Sequence, residues 1–185
     1  MASRGKTSPD GLSVGMTVRI YSPLPSDHPF YAFVGRVASE WSHLEHILDQ
    51  TIWVLASWQT TGFSHQMAAC ITSQILGVPP RCRVISALIA QRKLDSSLAK
   101  AFRALGQDAF STSEARNRIV HDPWYGETGS RQPAQFRAMP ASDPRFGFCD
   151  ITKADIDRTI NSIHELQERA SKLQNAVLEM LYTSR

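Results

Sequence analysis

Between residues 30 and 57, apolar side chains recur at intervals of three and four, at Phe33, Val37, Trp41, Leu44, Leu48, Ile52 and Leu55. At 100° per residue these positions share one side, so the spacing predicts a long amphipathic helix with a single buried face. A second long stripe runs through Ile156, Ile160, Ile163, Leu166, Ala170, Leu173, Val177 and Met180 in near-heptad rhythm. Thr152 and Asp155 resemble a capping box, with Asp in place of the usual Glu, opening a helix that extends to about Tyr182. Its length suits packing along the first helix, antiparallel within the chain, or against a partner's helix.

Shorter patterns lie between the two. Thr60-Thr61-Gly62 reads as a break and Ser64 as the N-cap of a helix to about Leu76, with Met67, Ala68, Ile71 and Ile75 inward. Gly77 ends it, and Pro79-Pro80 suits the first turn of another helix carrying Val84, Ile85, Leu88 and Ile89. Asp95 or Ser96 caps a further pattern through Leu98, Phe102, Leu105 and Ala109 to Ile119 and Val120. Gly106 and Ser111-Thr112-Ser113 weaken its middle, predicting a bend or break near Phe110, with Ser113 and Glu114 starting the final turns as a short helix. Asp122-Pro123 stops it.

Beyond that stop, Trp124-Tyr125-Gly126-Glu127 opens a Gly-rich turn. Residues 135–139 and 145–149, separated by Pro140 and Pro144, read as a small antiparallel hairpin, an embellishment over about residues 134–150. Upstream, residues 1–12 are small and polar, 14–21 suit a short extended piece, and Pro23, Pro25 and Pro29 hold off helix until Phe30. The expected architecture is therefore a tail and arm over residues 1–29 and one all-α domain over 30–185. That domain is an up-down helical bundle of about five helices with the hairpin inserted after the fourth.

Composition changes this picture little. A chain of 185 residues with 42% hydrophobic content suits a single core. A net charge of +3 and a pI near 8.9 permit a nucleic-acid partner without arguing for one. The three cysteines, Cys70, Cys82 and Cys149, are odd in number and lack a Cys-x-x-Cys pair, which indicates neither a disulfide framework nor a zinc knuckle and fits a reducing cytoplasm. No apolar run approaches the roughly 20 residues of a membrane span, and the polar start lacks a signal-peptide core, so the expectation is a soluble protein with no membrane partner.

Candidate chemistry concentrates at Arg116-Asn117-Arg118-Ile119-Val120-His121, closing the fourth helical pattern. An arginine, an amide and an imidazole supply a fixed cation, a hydrogen-bonding orienter and a group that exchanges protons near neutral pH. Asn117 and His121 are an i,i+4 pair, so the amide can hold the imidazole. Arg116 lies about 140° round from His121 on an ideal helix. The two meet only if the long side chain curls back, if the last turn distorts, or if a second copy of the motif comes from a partner chain. The helix dipole and Asp122 both favour the imidazolium. Arg118, Trp124 and Tyr125 are candidate substrate contacts, a cation for a phosphate and two rings for stacking on bases. The bland reading is an ordinary C-terminal stop, in which Arg and His are favoured near the last carbonyls by the dipole alone. For Trp124 and Tyr125 it is that they pin the loop to the bundle.

Two other groupings carry less weight. Glu40 and His43 have the Glu-x-x-His spacing of di-iron bundles, but no second such unit occurs, so a solvated or groove-lining face fits better than a metal site. A place for Glu45 or His46 beside His121 depends on the fold. Arg81, Arg83, Arg92 and Lys93 could form a patch for a phosphate backbone, with ordinary helix-surface charge the commoner explanation.

Arg116-Asn117-x-x-x-His121, at the end of a helix in a mostly helical chain, resembles the Arg-polar-x-x-x-His motif of the HEPN superfamily, whose members include many ribonucleases. The resemblance covers six residues, and the long helices on either side are similar to that family's bundle in a general way. It implies metal-independent RNA cleavage with no cofactor and two motifs meeting across a homodimer. Catalytic roles pass to Arg116 and His121, and a supporting one to Asn117. It also implies a toxin or defence role, with an antitoxin protein as a partner. The alternatives are a non-catalytic helical module that binds a protein or nucleotide and, more weakly, a metal-binding bundle around Glu40, His43 and Glu45.

Overall fold

The first apolar stripe forms the spine of the core. In the computed structural model, which describes residues 20–58, 64–127, 133–139 and 145–183, helix α1 spans Tyr31–Ser57 and buries Val37, Trp41, Leu44, Leu48, Ile52 and Leu55. Ile47 and Thr51 are buried as well. The buried face is broader than the stripe because α1 touches each of the other helices, α2 (His65–Thr72), α3 (Val78–Gln91), α4 (Ser96–His121) and α5 (Lys153–Thr183). Each Leu or Ile so enclosed is worth about 1.5–3 kcal/mol relative to leaving it in water. No helix among the described residues is long and apolar enough to cross a membrane.

Ser64 caps α2, its Oγ accepting from the Met67 N–H at 3.3 Å. The helix is shorter than its pattern suggested, and Met67 and Ile71 face outward while Ala68 is buried. The break expected at Thr60-Thr61-Gly62 lies outside the described residues. Gly77 holds φ +81°, a conformation suited to glycine, and turns the chain into α3 with Pro79 and Pro80 in its first turn.

Helix α4 is continuous, against the expected break near Phe110. Gly106 is there for packing, since a Cβ on it would stand 3.0 Å from the Cys82 Cβ and 3.4 Å from the Pro79 Cα of α3. Leu105 and Ala109 beside it are buried, and this contact outweighs the weak propensity of glycine and of the Ser-Thr-Ser run. Cys82 is sealed in the same contact, and burial pushes its thiol up to about 12. Iodoacetamide at mildly alkaline pH is therefore expected to label exposed Cys70 on the order of a hundredfold faster than Cys82, until denaturant equalises them. Equal rates in the native protein would mean that the α3–α4 contact opens freely.

Cross-links between helices fix their directions. Asp49 of α1 meets Arg81 of α3, and the Trp58 carbonyl at the end of α1 meets Arg92 at the end of α3, so these two run the same way. Helix α4 returns against α3, with Ser86 Oγ donating to the Ala99 carbonyl and Gly106 on Cys82. Gln167 donates to the Glu40 carbonyl, Gln174 to that of Ile47, and the Tyr182 ring stands edge-on to Trp58. Rising numbers on one helix meet rising numbers on the other. Helix α5 is therefore parallel to α1, which corrects the antiparallel expectation.

The sheet explains this. Four strands, β1 (Tyr21–Pro23), β2 (Trp124–Glu127), β3 (Pro133–Met139) and β4 (Arg145–Asp150), pair antiparallel in the order β1-β2-β3-β4. They sit where α1 begins and α4 ends. The Phe30 ring meets Trp124 edge-on at 4.5 Å, and the Leu24 N–H donates to the Trp124 carbonyl at 3.1 Å. The chain thus leaves β4 beside the start of α1, where Lys153 lies 5.6 Å from the Phe33 ring centroid. The expected hairpin is present as β3 and β4, but Trp124–Glu127 is a strand rather than a turn, and the arm supplies the edge strand β1. At the start of α5 the capping box is made in both directions, Thr152 N–H to Asp155 Oδ2 at 2.9 Å and Asp155 N–H to Thr152 Oγ1 at 3.2 Å.

Candidate functional site

A helix end leaves carbonyls without intrahelical partners, and at the end of α4 the sheet supplies them. Trp124 Nε1 donates to the Ile119 carbonyl at 3.0 Å, and Gln135 Nε2 donates to the Arg118 carbonyl at 2.9 Å. Gln135 is completely buried, and its Oε1 in turn accepts from Arg137 Nε at 3.2 Å and Nη2 at 2.6 Å. Arg137 Nε also lies 3.8 Å from Asp122 Oδ2. Strands β2 and β3 therefore clamp the turn that carries the motif. Of the two readings of Trp124, a base-stacking ring or a pin for the loop, its burial fits the second. Asp122 is paired with Arg137, so its charge is shared with that guanidinium rather than reserved for His121.

Arg116 does curl back. Its Nη1 donates to Asn117 Oδ1 at 2.8 Å and stands 3.3 Å from His121 Nε2, all within one chain. Asn117 therefore steadies the arginine, whereas the i,i+4 spacing had suggested that it would hold the imidazole. An arginine only donates, so the contact with His121 is a hydrogen bond when Nε2 carries its lone pair, the form that accepts a proton. Arg116 Nε is buried with no hydrogen-bond partner, alone in this among side-chain nitrogens and oxygens of the described residues. Such an orphan costs about 1–3 kcal/mol, and it falls on the motif. Asn117, Arg118 and His121 are exposed and Arg116 is half-buried, so the guanidinium Nη2 and the imidazole sit at an accessible helix end.

Other candidates go elsewhere. Tyr125 is half-buried and belongs to an aromatic group on the outer sheet face, where Tyr21 stacks on Phe148 at 3.7 Å and Tyr125 and Phe136 meet Phe148 edge-on. Arg118 lines a pocket between α4, the sheet and α5. Glu45 accepts from Trp41 and lies 3.5 Å from Arg81, and His46 contacts Gln50 and Trp53 on the same helix. Both thus turn to partners on α1 and α3 rather than to His121. Glu40 pairs with His164 of α5 at 3.2 Å rather than with His43. Its carboxyl is held below the ordinary range chiefly by the Gln167 hydrogen bond, with His164 and Arg36 adding to it. Among the described residues no three His, Cys, Asp or Glu side chains are grouped to hold a metal ion.

The basic patch expected at Arg81, Arg83, Arg92 and Lys93 loses two of its four members. Arg81 is buried against Asp49 and Glu45, and Arg92 caps the end of α1 through the Trp58 and Ala56 carbonyls. Pattern reading missed Gln135 and Arg137. Their only signal was a polar pair spaced two apart on a strand, which places both on the same side as Trp124. Compared with protein-family models, with characterised proteins and with solved structures, the chain matches none.

Proposed function

We propose that this chain is a metal-independent RNA endonuclease of the HEPN type, acting through Arg116, Asn117 and His121 at the end of α4. The observation that carries the reading is the 3.3 Å contact between Arg116 Nη1 and His121 Nε2, at an exposed helix end where an arginine–imidazole contact adds little stability. The RNA 2′-hydroxyl attacks the adjacent phosphorus, the bond to O5′ breaks, and a 2′,3′-cyclic phosphate and a 5′-hydroxyl result. His121 Nε2, its lone pair turning from Arg116 Nη1 to the substrate, takes the 2′ proton. Arg116 Nη2, unused by any described residue, stabilises charge on the phosphoryl oxygens. Because the substrate supplies its own nucleophile, the reaction does not depend on a metal-bound water.

Expulsion of O5′ needs a proton donor besides the base, and each chain holds one such imidazole. The second comes from the motif of another copy, in a homodimer. Sedimentation at micromolar concentration should show that dimer, and a clean monomer would remove the two-histidine arrangement. A cytoplasmic toxin or defence role, with an antitoxin as protein partner, rests on the HEPN resemblance alone. The direct test is incubation with RNA in EDTA and analysis of the ends. Cyclic phosphate supports the reading, and 5′-phosphate products or intact RNA would end it. The outer aromatic face of the sheet favours, as second reading, a non-catalytic module that binds a partner. Intact RNA with a well-folded protein would point there.

A further inference from the structure

A pocket of about 430 Å³ opens between α4, the β3–β4 strands and the first turns of α5, within the size range of small-ligand sites. Arg118, Arg137 and Arg158 all line it, one from each of these elements. Two of the guanidiniums are held in place by other contacts. Gln135 holds Arg137, and Asp155 Oδ1 accepts from Arg158 Nη1 at 3.2 Å. The Arg118 side chain has no partner among the described residues, so its whole donor fork is free.

The rest of the lining mixes Ala115, Ile119, Cys149 and Ile151 with polar groups. Ser111, Thr112 and Ser162 bring hydroxyls, and Asp150 brings a carboxylate. Among the described residues no aromatic ring lines the pocket, so none of them stacks a base there. The first turn of α5 is not the attraction either, because its capping box already satisfies Thr152 and Asp155. Arginine forks match phosphate oxygens in pairs, while a carboxylate and hydroxyls match the hydroxyls of a sugar.

We infer that this pocket binds a sugar phosphate, the phosphate held by Arg118 and Arg158 with Arg137 behind them, and the sugar hydroxyls by Asp150 and the Ser/Thr groups. The chemistry has two sources, a free sugar phosphate or the ribose-phosphate backbone of an RNA strand. Arg118 and His121 are i,i+3 neighbours on α4, so a strand lying on the motif reaches the pocket within one helical turn. The inference stands on the pocket itself and does not require the motif to cleave.

Titration calorimetry on the full chain carrying His121→Ala, so that nothing is cut, tests it with ribose 5-phosphate, ribose and inorganic phosphate. Ribose 5-phosphate should saturate one site per chain and ribose should not bind. Arg118→Gln and Arg158→Gln should each weaken binding by about tenfold or more. Both residues are exposed, so the variants should fold, and Arg36→Gln on α1, away from the pocket, should leave affinity as it was. No saturable binding, or equal affinity in both arginine variants, would overturn the site. Inorganic phosphate binding as tightly as ribose 5-phosphate would overturn the sugar half. A 2′-O-methyl oligoribonucleotide that displaces ribose 5-phosphate assigns the pocket to RNA backbone, and failure to displace it assigns the pocket to a free sugar phosphate.

Discussion

Alanine at Arg116 or at His121 is expected to lower RNA cleavage in EDTA by about a thousandfold or more, with the helical signal and the melting temperature close to those of the native chain. The two effects separate because of how the motif is built. The contacts of Arg116 with Asn117 and His121 lie at a helix end with exposed partners, where such pairs contribute at most about 1 kcal/mol. Removing Arg116 also removes the buried Nε that has no partner. Arg116→Lys should fail almost as badly as alanine, since an ammonium cannot face Asn117, His121 and a phosphoryl oxygen with a planar fork. Asn117→Ala should cost about tenfold, because the amide positions the guanidinium and does not itself exchange a proton. If native protein cleaves no RNA and the alanine variants instead melt early, the motif is an ordinary helix stop. Metal-dependent cutting would return attention to the carboxylates of α1.

The long elements were legible because burial on one face writes a period into the sequence. Val37, Trp41 and Leu44 of α1, and Ile156, Ile160 and Ile163 of α5, are core residues as their spacing implied. Direction was not legible, since a stripe looks the same whichever way its neighbour runs. The sheet between α4 and α5 decides it, by delivering the chain to the start of α1. That sheet was only half visible. Residues 135–139 and 145–149 carried a strand pattern, whereas Trp124-Tyr125-Gly126-Glu127 is short and holds a glycine, and becomes a strand through its pairing with Tyr21–Pro23 and β3. The close α3–α4 approach at Gly106 was misread as weakness because glycine lowers helix propensity and serves close packing alike. The ideal-helix angle correctly set Arg116 apart from His121 along the backbone. It said nothing about a side chain long enough to close the gap.

Charge was the least legible property, and Arg81 shows why. On the sequence it sits in a run with Arg83, Arg92 and Lys93 and looks like helix surface. In the fold it is 7% exposed, with Nε 2.7 Å from Asp49 Oδ1, Nη2 3.4 Å from Asp49 Oδ2, and Nη1 3.1 Å from the Gly77 carbonyl and 3.5 Å from Glu45. This fork-to-carboxylate pair joins α1 to α3 and holds the turn that starts α3. Arg81→Met keeps the apolar stem and deletes the fork, leaving Asp49, whose side chain is 16% exposed, without its cation. Breaking a buried pair from one side costs about 3–5 kcal/mol, which for a chain of this size lowers Tm by roughly 6–20 °C. The double change Arg81→Met with Asp49→Leu should recover much of the loss, because it removes the Asp49 charge together with its cation and leaves only the more exposed Glu45 without Arg81. A single Arg81→Met that melts within a degree or two of the native protein would show that Arg81 is solvated in solution. The α3 basic patch would then return as a surface open to phosphate.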